Sequence, residues 1–215
     1  MKCDGISVGR LSFLCYTLNN KKHDQRTMQK GKTRMKWLIA SDIHGSAYWC
    51  EKLMKAYERE AADRMILLGD LLYHGPRNDL PKEYAPKEVI GMLNAHADEI
   101  YCVRGNCEAE VDQMVLDFPV LAEYMLLPVG NRLVFATHGH VFNEKHLPPL
   151  RSGDILLHGH THVPVCVQHE TYTCMNPGSV AIPKEESWHG YMVLEGTAFV
   201  WKDMEGEIKR SFELM

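Results

Sequence analysis

The segment KWLIASDIHGS, residues 36–46, decides the fold of this chain. Its first five residues, Lys36–Ala40, form a short apolar run of the kind that makes a buried strand. The polar residues 41–45 then predict a loop, and Ser46 can cap a helix, because the apolar residues that follow recur at helical spacing. A strand, a polar loop and a helix in this order predict one unit of an α/β domain.

The alternation continues along the chain. Met65–Leu68 and Ile100–Val103 are buried-strand patterns, and Pro86 can occupy the first turn of a helix between them. Further strands are predicted at 124–127, 133–136, 154–157, 165–168, 172–175, 191–194, 198–201 and after Gly206, with a short helix around 111–116. The turns Pro128-Val129-Gly130-Asn131 and Glu195-Gly196 predict two hairpins. We therefore expect a mixed sheet stacked on a second sheet, with helices outside.

Five of these predicted strands run into side chains that can bind metal ions. The candidates are Asp42 and His44, Asp70, Asn106, His138, and the pair His160 and His162. Ligands in open α/β sheets collect outside the carboxyl ends of strands, so we expect these groups in one cleft. The two-residue spacing within each pair would project both side chains to the same side of an extended backbone.

The chemistry of these side chains indicates the metal. Carboxylate, imidazole and amide ligands suit Mn²⁺, Zn²⁺, Fe or Co²⁺ better than thiolate-loving sites. Each motif alone is weak evidence, because Gly-Asp and Gly-Asn are ordinary turn pairs and a lone histidine at a strand end is usually structural. Their joint occurrence, each after a strand, is much more specific and predicts a metal site.

Composition limits the functional classes. The chain has 215 residues, which suits one sizeable core, and it has no apolar run long enough to span a bilayer. Its seven cysteines contain no CxxC pair, which predicts a reducing, cytoplasmic setting without a disulfide framework. Residues 35–215 contain 16 basic and 26 acidic residues. This acidic body disfavours long nucleic acids as substrate and suits divalent cations.

The first 34 residues differ from the rest, with eight basic and two acidic residues. Leu11–Leu18 faintly resembles a signal peptide but lacks a small-residue cleavage site, and a transit peptide is a second reading. We favour a basic extension, disordered or translated from a start assigned too early, with Met35 as the natural start. The predicted domain is residues 35–215.

The motif set resembles that of the calcineurin-like metallophosphoesterases. It consists of Asp42-Ile43-His44, Gly69-Asp70, Gly105-Asn106, Thr137-His138-Gly139-His140 and Gly159-His160-Thr161-His162, and its order along the chain also matches. Three further segments resemble the small bacterial phosphodiesterases of this family, namely residues 72–78, Arg104-Gly105-Asn106-Cys107 and residues 176–180. The resemblance covers about residues 35–200. It implies an α/β fold, a four-layer αββα sandwich of two mixed β-sheets flanked by helices.

The resemblance also implies roles for individual residues. One divalent ion would be held by Asp42, His44 and His162. A second would be held by Asn106, His138 and His160. Asp70 would bridge the two ions, of which Mn²⁺ is the first choice, with Zn²⁺, Fe or Co²⁺ as alternatives. The implied activity is hydrolysis of a small phosphodiester by attack of a metal-bridging water or hydroxide, with Asp70, Asn106 and His138 as catalytic residues.

Substrate contacts are predicted from the same motifs. Arg77 can hold a phosphate oxygen through its fork of donors. Many relatives place a histidine directly after the motif asparagine, where it can protonate the leaving group, whereas this chain has Cys107. A thiol is a weaker proton donor than imidazolium, so good leaving groups are favoured, and His74 or His140 can substitute as the acid.

Three alternatives remain open at this point. The first is a protein-interaction scaffold, like the retromer subunit of this fold that has lost its ligands, although every expected ligand is present here. The second is a nuclease, which usually carries an added capping domain. The third is a nucleotide or cyclic-nucleotide phosphodiesterase. Homo-oligomerisation is compatible with the sequence.

Overall fold

The computed structural model describes residues 34–214, so the predicted extension lies outside the described residues apart from Arg34. The strands of the first sheet are β1 (Lys36–Ala40), β2 (Arg64–Leu67), β3 (Ile100–Cys102), β9 (Gly190–Glu195), β10 (Ala198–Asp203) and β11 (Ile208–Glu213). Those of the second sheet are β4 (Tyr124–Val129), β5 (Arg132–Thr137), β6 (Asp154–Leu157), β7 (Val165–Gln168) and β8 (Tyr172–Asn176). The helices are α1 (Ala47–Glu60), α2 (Pro86–Asn94) and the short α3 (Glu110–Gln113).

Both sheets are mixed. The first has the order β11-β10-β9-β1-β2-β3, in which β1, β2 and β3 are parallel and β9 to β11 pair antiparallel. The second has the order β4-β5-β6-β8-β7, with parallel pairs at its centre and antiparallel pairs at its edges. The carboxyl ends of the parallel strands of both sheets, and the loops that follow them, lie in one region.

Period-two burial along the strands explains the layering. In β1, Leu38 and Ala40 pack with α1 and α2 in one core, whereas Ile39 packs in a second core between the sheets. The same alternation recurs in β2 and β9 because successive side chains of a strand point to opposite faces. On the outer face of the second sheet, Phe135 and Leu156 are covered by partly buried side chains that include Phe142 and Leu150.

The predicted strands and helices are largely confirmed. Helix α1 begins after Ser46, whose side chain accepts a hydrogen bond from the backbone amide of Trp49, as expected for a capping residue. The hairpin turns were predicted with the wrong bounds. Val129 pairs with Arg132, so the first turn is Gly130-Asn131, and the second is Gly196-Thr197. Pro128 is tolerated within β4 because β4 is an edge strand.

Across residues 34–214, no helix combines the length and the apolar character needed to traverse a membrane.

Candidate metal centre

The seven predicted ligands lie together at the carboxyl ends of the parallel strands. Contacts of 3.1–3.7 Å between their polar atoms link all of them into one cluster. Most of these side chains are buried, whereas Asn106 is exposed and His160 is half-buried. The cluster therefore opens to solvent on the side of Asn106.

The backbone conformation of these ligands differs from the one that the sequence predicted. The predicted extended conformation is wrong, because five ligands have left-handed backbone angles. They are Asp42 (φ 60°), His44 (φ 48°), Asp70 (φ 56°), His160 (φ 64°) and His162 (φ 63°). A non-glycine residue in this region costs about 1–3 kcal/mol and persists only where its surroundings enforce it. Tight turns, rather than extended strands, aim the ligands into the cluster.

Two glycines permit the close approach of the loops. A Cβ atom on Gly105 would lie 2.1 Å from Oδ1 of Asp70, and one on Gly159 would lie 1.9 Å from Oγ of Ser41. Any side chain at either position would displace the ligand loops. The glycines of the two motifs are thus required by the packing of the site.

We define the first half-site as Asp42, His44 and His162. Nδ1 of His44 donates to the carbonyl of Tyr73 at 2.8 Å, and Nδ1 of His162 donates to that of Ile182 at 2.6 Å. These bonds leave Nε2 of each neutral ring as an acceptor. The two Nε2 atoms nevertheless lie 3.3 Å apart, and that of His162 lies 3.2 Å from Oδ1 of Asp42.

We define the second half-site as Asn106, His138 and His160. Nδ1 of His138 donates to the carbonyl of Leu68 at 2.7 Å, so its Nε2 is an acceptor in the neutral ring. That atom lies 3.1 Å from Oδ1 of Asn106 and 3.2 Å from Nδ1 of His160. Acceptor atoms therefore converge here as well.

Asp70 lies between the half-sites. Its Oδ2 is 3.7 Å from Nε2 of His44, and its Oδ1 is 3.5 Å from Nε2 of His138. One carboxylate thus turns one oxygen toward each half-site. This is the arrangement required of a ligand that bridges two ions.

The residues present fit a pair of divalent cations. Among the residues that the structure describes, Oδ1 of Asp42 is buried and receives no hydrogen bond of good geometry. Lone pairs that face one another, and a buried oxygen without a hydrogen-bond donor, raise the free energy of the folded protein. Positive charge between these atoms would offset that cost. Carboxylate oxygens and imidazole nitrogens within 4.8 Å of one another are a suitable donor set for such ions.

The pKa directions of Asp42 and His44 indicate that the first half-site favours positive charge. Burial acts to raise the pKa of Asp42, but contacts with His162 and His44 outweigh it and hold that pKa well below its usual range. Burial acts to lower the pKa of His44, but Asp42 outweighs it, so this pKa is raised. Burial and His138 lower the pKa of His160 to about 4. His160 is therefore unprotonated at neutral pH and available to a metal.

Glu108 is a positioning residue that the sequence did not reveal. It is buried, and its carboxylate accepts hydrogen bonds from the backbone amides of Asp70 (2.9 Å), Leu71 (2.7 Å) and Gly105 (2.5 Å). Burial and the charge of Asp70 raise its pKa. One carboxylate thus ties the loop after β2 to the loop after β3, which fixes the backbone that carries Asp70.

Five of the seven predicted ligands line a cleft of about 460 Å³. Its walls include the predicted substrate residues Arg77 and Cys107, together with Lys184, which was not predicted. The Cys107 thiol donates to Oδ2 of Asp70 at 3.2 Å, and its amide donates to Oδ1 at 2.9 Å. Burial, and after it the charge of Asp70, raises the pKa of this thiol, so it stays protonated at neutral pH.

The other two predicted substrate residues occupy different positions. The His74 ring packs edge-on against Tyr73 and Tyr84, and the cleft is lined by the residues that follow His74, from Gly75 to Asn78, rather than by His74 itself. The His140 ring lies 5.4 Å from that of His138, between ring centres, and burial lowers its pKa. Their predicted contacts with substrate stay predictions.

This fold and this cluster agree with the comparisons with known proteins. The model of the calcineurin-like phosphoesterase superfamily domain matches residues 35–198. Because that match spans most of the chain, this protein belongs to the calcineurin-like phosphoesterase superfamily. The predicted family and fold are confirmed.

Individual relatives support the same placement. Phosphodiesterase YfcE of Escherichia coli strain K12 is 44% identical over 161 residues, which are 75% of this chain and 88% of that protein. A solved structure of Yfce, described as a phosphoesterase from E. coli, matches with a TM-score of 0.81 at 40% identity and covers 84% of this chain and 100% of that chain. The probable metallophosphoesterase YsnB of Bacillus subtilis strain 168 is 24% identical over 167 residues, which are 74% of this chain and 83% of that protein.

Proposed function

We propose that this protein is a dinuclear metal-dependent phosphodiesterase that hydrolyses small phosphodiesters. Its family makes it a phosphoesterase. The finer proposal assigns one ion to the first half-site and one to the second, with Asp70 as the shared ligand. It takes Mn²⁺ as the first choice of metal, with Zn²⁺, Fe and Co²⁺ as alternatives, because the donors are oxygen and imidazole nitrogen.

The convergence of acceptor atoms carries this proposal. Nε2 atoms of His44 and His162 lie 3.3 Å apart although both rings give their Nδ1 protons to carbonyl groups. Two such atoms repel one another in an empty neutral site, and a cation between them removes the repulsion. A scaffold protein has no need to maintain this arrangement together with five strained residues.

The residues of the chain have distinct tasks in the proposed reaction. When bound, two divalent ions supply Lewis-acid charge to the phosphoryl group and lower the pKa of a nucleophilic water. The carbonyls of Tyr73, Leu68 and Ile182 fix the orientation of the three histidines that they bind. Glu108 fixes the loop that carries Asp70. The site is therefore preorganised before substrate arrives.

The assignment to phosphodiesters has two supports. The relative at 44% identity bears the name phosphodiesterase. In this chain, the position next to Asn106 is held by Cys107, a thiol already engaged with Asp70 rather than free to protonate a leaving group. Substrates whose leaving groups need no proton, such as aryl diesters, suit this site.

A substrate comparison tests the proposal. Purified protein is stripped with chelator, refilled with Mn²⁺, Zn²⁺ or Co²⁺, and assayed with bis-p-nitrophenyl phosphate and with p-nitrophenyl phosphate. We expect turnover of the diester to require metal and to exceed that of the monoester. Equal rates after chelation, or a clear preference for the monoester, would reject the assignment. Metal content of the same samples separates an inactive scaffold from an enzyme assayed with the wrong substrate.

A further inference from the structure

Two basic side chains stand in the cleft without acidic partners. Arg77 and Lys184 both line it and are exposed to solvent. Within residues 34–214, no carboxylate forms an ion pair with either of them. Exposed basic residues are ordinary, but two unpaired ones in the same cleft as a metal-ligand cluster create a local positive field.

Backbone contacts link the segments that carry both cations to ligands of the first half-site. The amide of Lys184 donates to the carbonyl of His162 at 3.2 Å. The turn that carries Arg77 is closed by the Asn78 side chain, whose amide donates to the carbonyl of His74 at 2.8 Å. That turn follows Tyr73, whose carbonyl holds His44. Each cation is therefore tied through the chain to a ligand of the first half-site.

A simple diester monoanion carries one negative charge, and the proposed metal ions would already neutralise it. Two divalent ions would carry four positive charges against the two negative charges of Asp42 and Asp70. The surplus of two is neutralised by a diester monoanion and a hydroxide nucleophile. Arg77 and Lys184 then add two positive charges at the cleft, and neither of them belongs to an ion pair found within residues 34–214.

We propose that the natural substrate is a phosphodiester that bears a second phosphate group, and that Arg77 and Lys184 bind this group beyond the first half-site. This inference rests on the proposed phosphodiesterase activity. Arg77 presents a planar fork that matches phosphate oxygens, and Lys184 adds a mobile point charge. The cleft, at about 460 Å³, admits a small molecule of this class.

The test compares two synthetic diesters with the same leaving group. One is p-nitrophenyl 3-hydroxypropyl phosphate, and the other carries a phosphate on the far hydroxyl. The ratio of their kcat/KM values is measured for the wild type, Arg77→Ala, Lys184→Ala and the double variant. Lys87→Ala serves as the matched control, because Lys87 is an exposed lysine on α2 that does not line the cleft.

We expect the wild type and Lys87→Ala to prefer the phosphorylated diester by at least tenfold. Each variant in the cleft should lower this ratio by about tenfold at low salt, and salt near 1 M should compress it because exposed charges are screened. Calorimetry should show that propane-1,3-diyl bisphosphate binds more tightly than 3-hydroxypropyl phosphate. A diesterase hydrolyses neither compound, so this comparison is independent of turnover.

Two failures are distinguishable. If neither diester is hydrolysed in the presence of metal, the proposed function itself fails. If both are hydrolysed at equal kcat/KM, or if the ratio is unchanged in the double variant, the second phosphate site is rejected while the phosphodiesterase stands. An analogue with a terminal carboxylate that performs as well as the phosphorylated one would overturn the assignment to phosphate.

Discussion

Strand β1 has a buried carboxylate cluster at each end, and the two clusters are satisfied in different ways. At the amino end, Glu60 accepts hydrogen bonds from Lys202 (2.7 and 2.9 Å), Lys36 (3.1 Å) and Tyr191 (2.8 Å). At the carboxyl end, Asp42 faces the Nε2 atoms of His162 and His44 at 3.2 and 3.6 Å. Every side chain that contacts Glu60 is a donor, whereas the histidine nitrogens that face Asp42 are acceptors when their rings are neutral.

A structural cluster is satisfied by donors within the protein, whereas a metal site is not. Removing a charge from water is costly, and an ion pair with good hydrogen bonds offsets that cost. The cluster around Glu60 is complete within the protein. The cluster around Asp42 and Asp70 is incomplete until positive charge is added, and the strain of its left-handed residues adds to the cost.

Asp70→Asn should produce the largest effect. The substitution keeps the shape but removes the charge that we assign to both ions, so we expect activity with Mn²⁺ to fall about a thousandfold or more, as measured by aryl diester hydrolysis. The amide can donate to the facing histidine nitrogens, so the melting temperature of the metal-free protein should not fall.

Asp154→Asn is the matched control for that variant. Asp154 is also buried, but its carboxylate accepts hydrogen bonds from the backbone amides of Leu133 and Arg151 at the start of β6, away from the metal ligands. Its turnover per folded molecule should match the wild type. Near-normal activity of Asp70→Asn, or equal loss in both variants, would contradict the bridging role.

Glu60→Gln should damage stability and leave the chemistry intact. It removes the charge that pairs with Lys36 and Lys202, which should cost about 3 kcal/mol of unfolding free energy. Glu51→Gln, on the same helix, removes an exposed partner of Lys55 and should leave the unfolding free energy almost unchanged, because solvent screens an exposed ion pair. Urea denaturation in chelator measures both values. Equal costs would remove the distinction between the buried and exposed pairs.

The pH dependence of unfolding, compared between the wild type and Glu60→Gln, tests the charge of Glu60. Burial acts to raise the pKa of Glu60, but Lys202, Tyr191 and Lys36 outweigh it, so the pKa in the folded state lies below the usual 4.5. The unfolded state then binds the proton first as pH falls, so the stabilisation is present above pH 4.5 and is lost through the folded pKa. The free-energy difference between wild type and Glu60→Gln should therefore be constant from pH 7 to 5 and shrink below 4.5. A difference that grows in acid would have the wrong sign.

Cys107→His should reduce the dependence of the rate on the leaving group. Without a motif histidine, the rate should depend steeply on leaving-group pKa, and the imidazole should raise activity on poor leaving groups at least tenfold more than on good ones. A series of aryl and alkyl diesters measures this slope, once metal content has been shown equal.

Two results would contradict that prediction. One is a wild type that hydrolyses alkyl monoesters as fast as aryl diesters. The other is a change of slope in His140→Ala, which would identify His140 as the acid instead.

Starting the chain at Met35 should have the smallest effect. Strand β1 begins at Lys36, and the match to the family model begins at residue 35. We propose that residues 1–34 are not needed by the domain, so melting temperature and turnover should equal those of the full chain. A clear loss of either would place the extension within the folded unit.

The sequence predicted the ligand types and their order, because buried strands and polar residues alternate clearly. It could not predict how those ligands are oriented, since the left-handed backbone of Asp42 and His160 arises from the packing of separate loops. It also missed Glu108, whose hydrogen bonds reach Asp70 and Leu71 across 38 and 37 residues.

Lys184 illustrates the same limit. Within its own segment it is an ordinary exposed lysine between Pro183 and Glu185. Its place in the cleft results from the hydrogen bond that its backbone amide donates to the carbonyl of His162, a contact between residues 22 positions apart. Local pattern cannot show which surface residues the fold brings beside the site.

The number of metal ions per chain distinguishes a dinuclear centre from a mononuclear or metal-free one. Purified protein is stripped with chelator, titrated with Mn²⁺ by calorimetry, and analysed for bound metal by mass spectrometry, alongside Asp70→Asn and Glu60→Gln. We predict two ions per chain for the wild type and for Glu60→Gln, and fewer than two for Asp70→Asn. One ion or none in a folded wild type, or two ions retained at unchanged affinity in Asp70→Asn, would contradict a dinuclear centre bridged by that carboxylate.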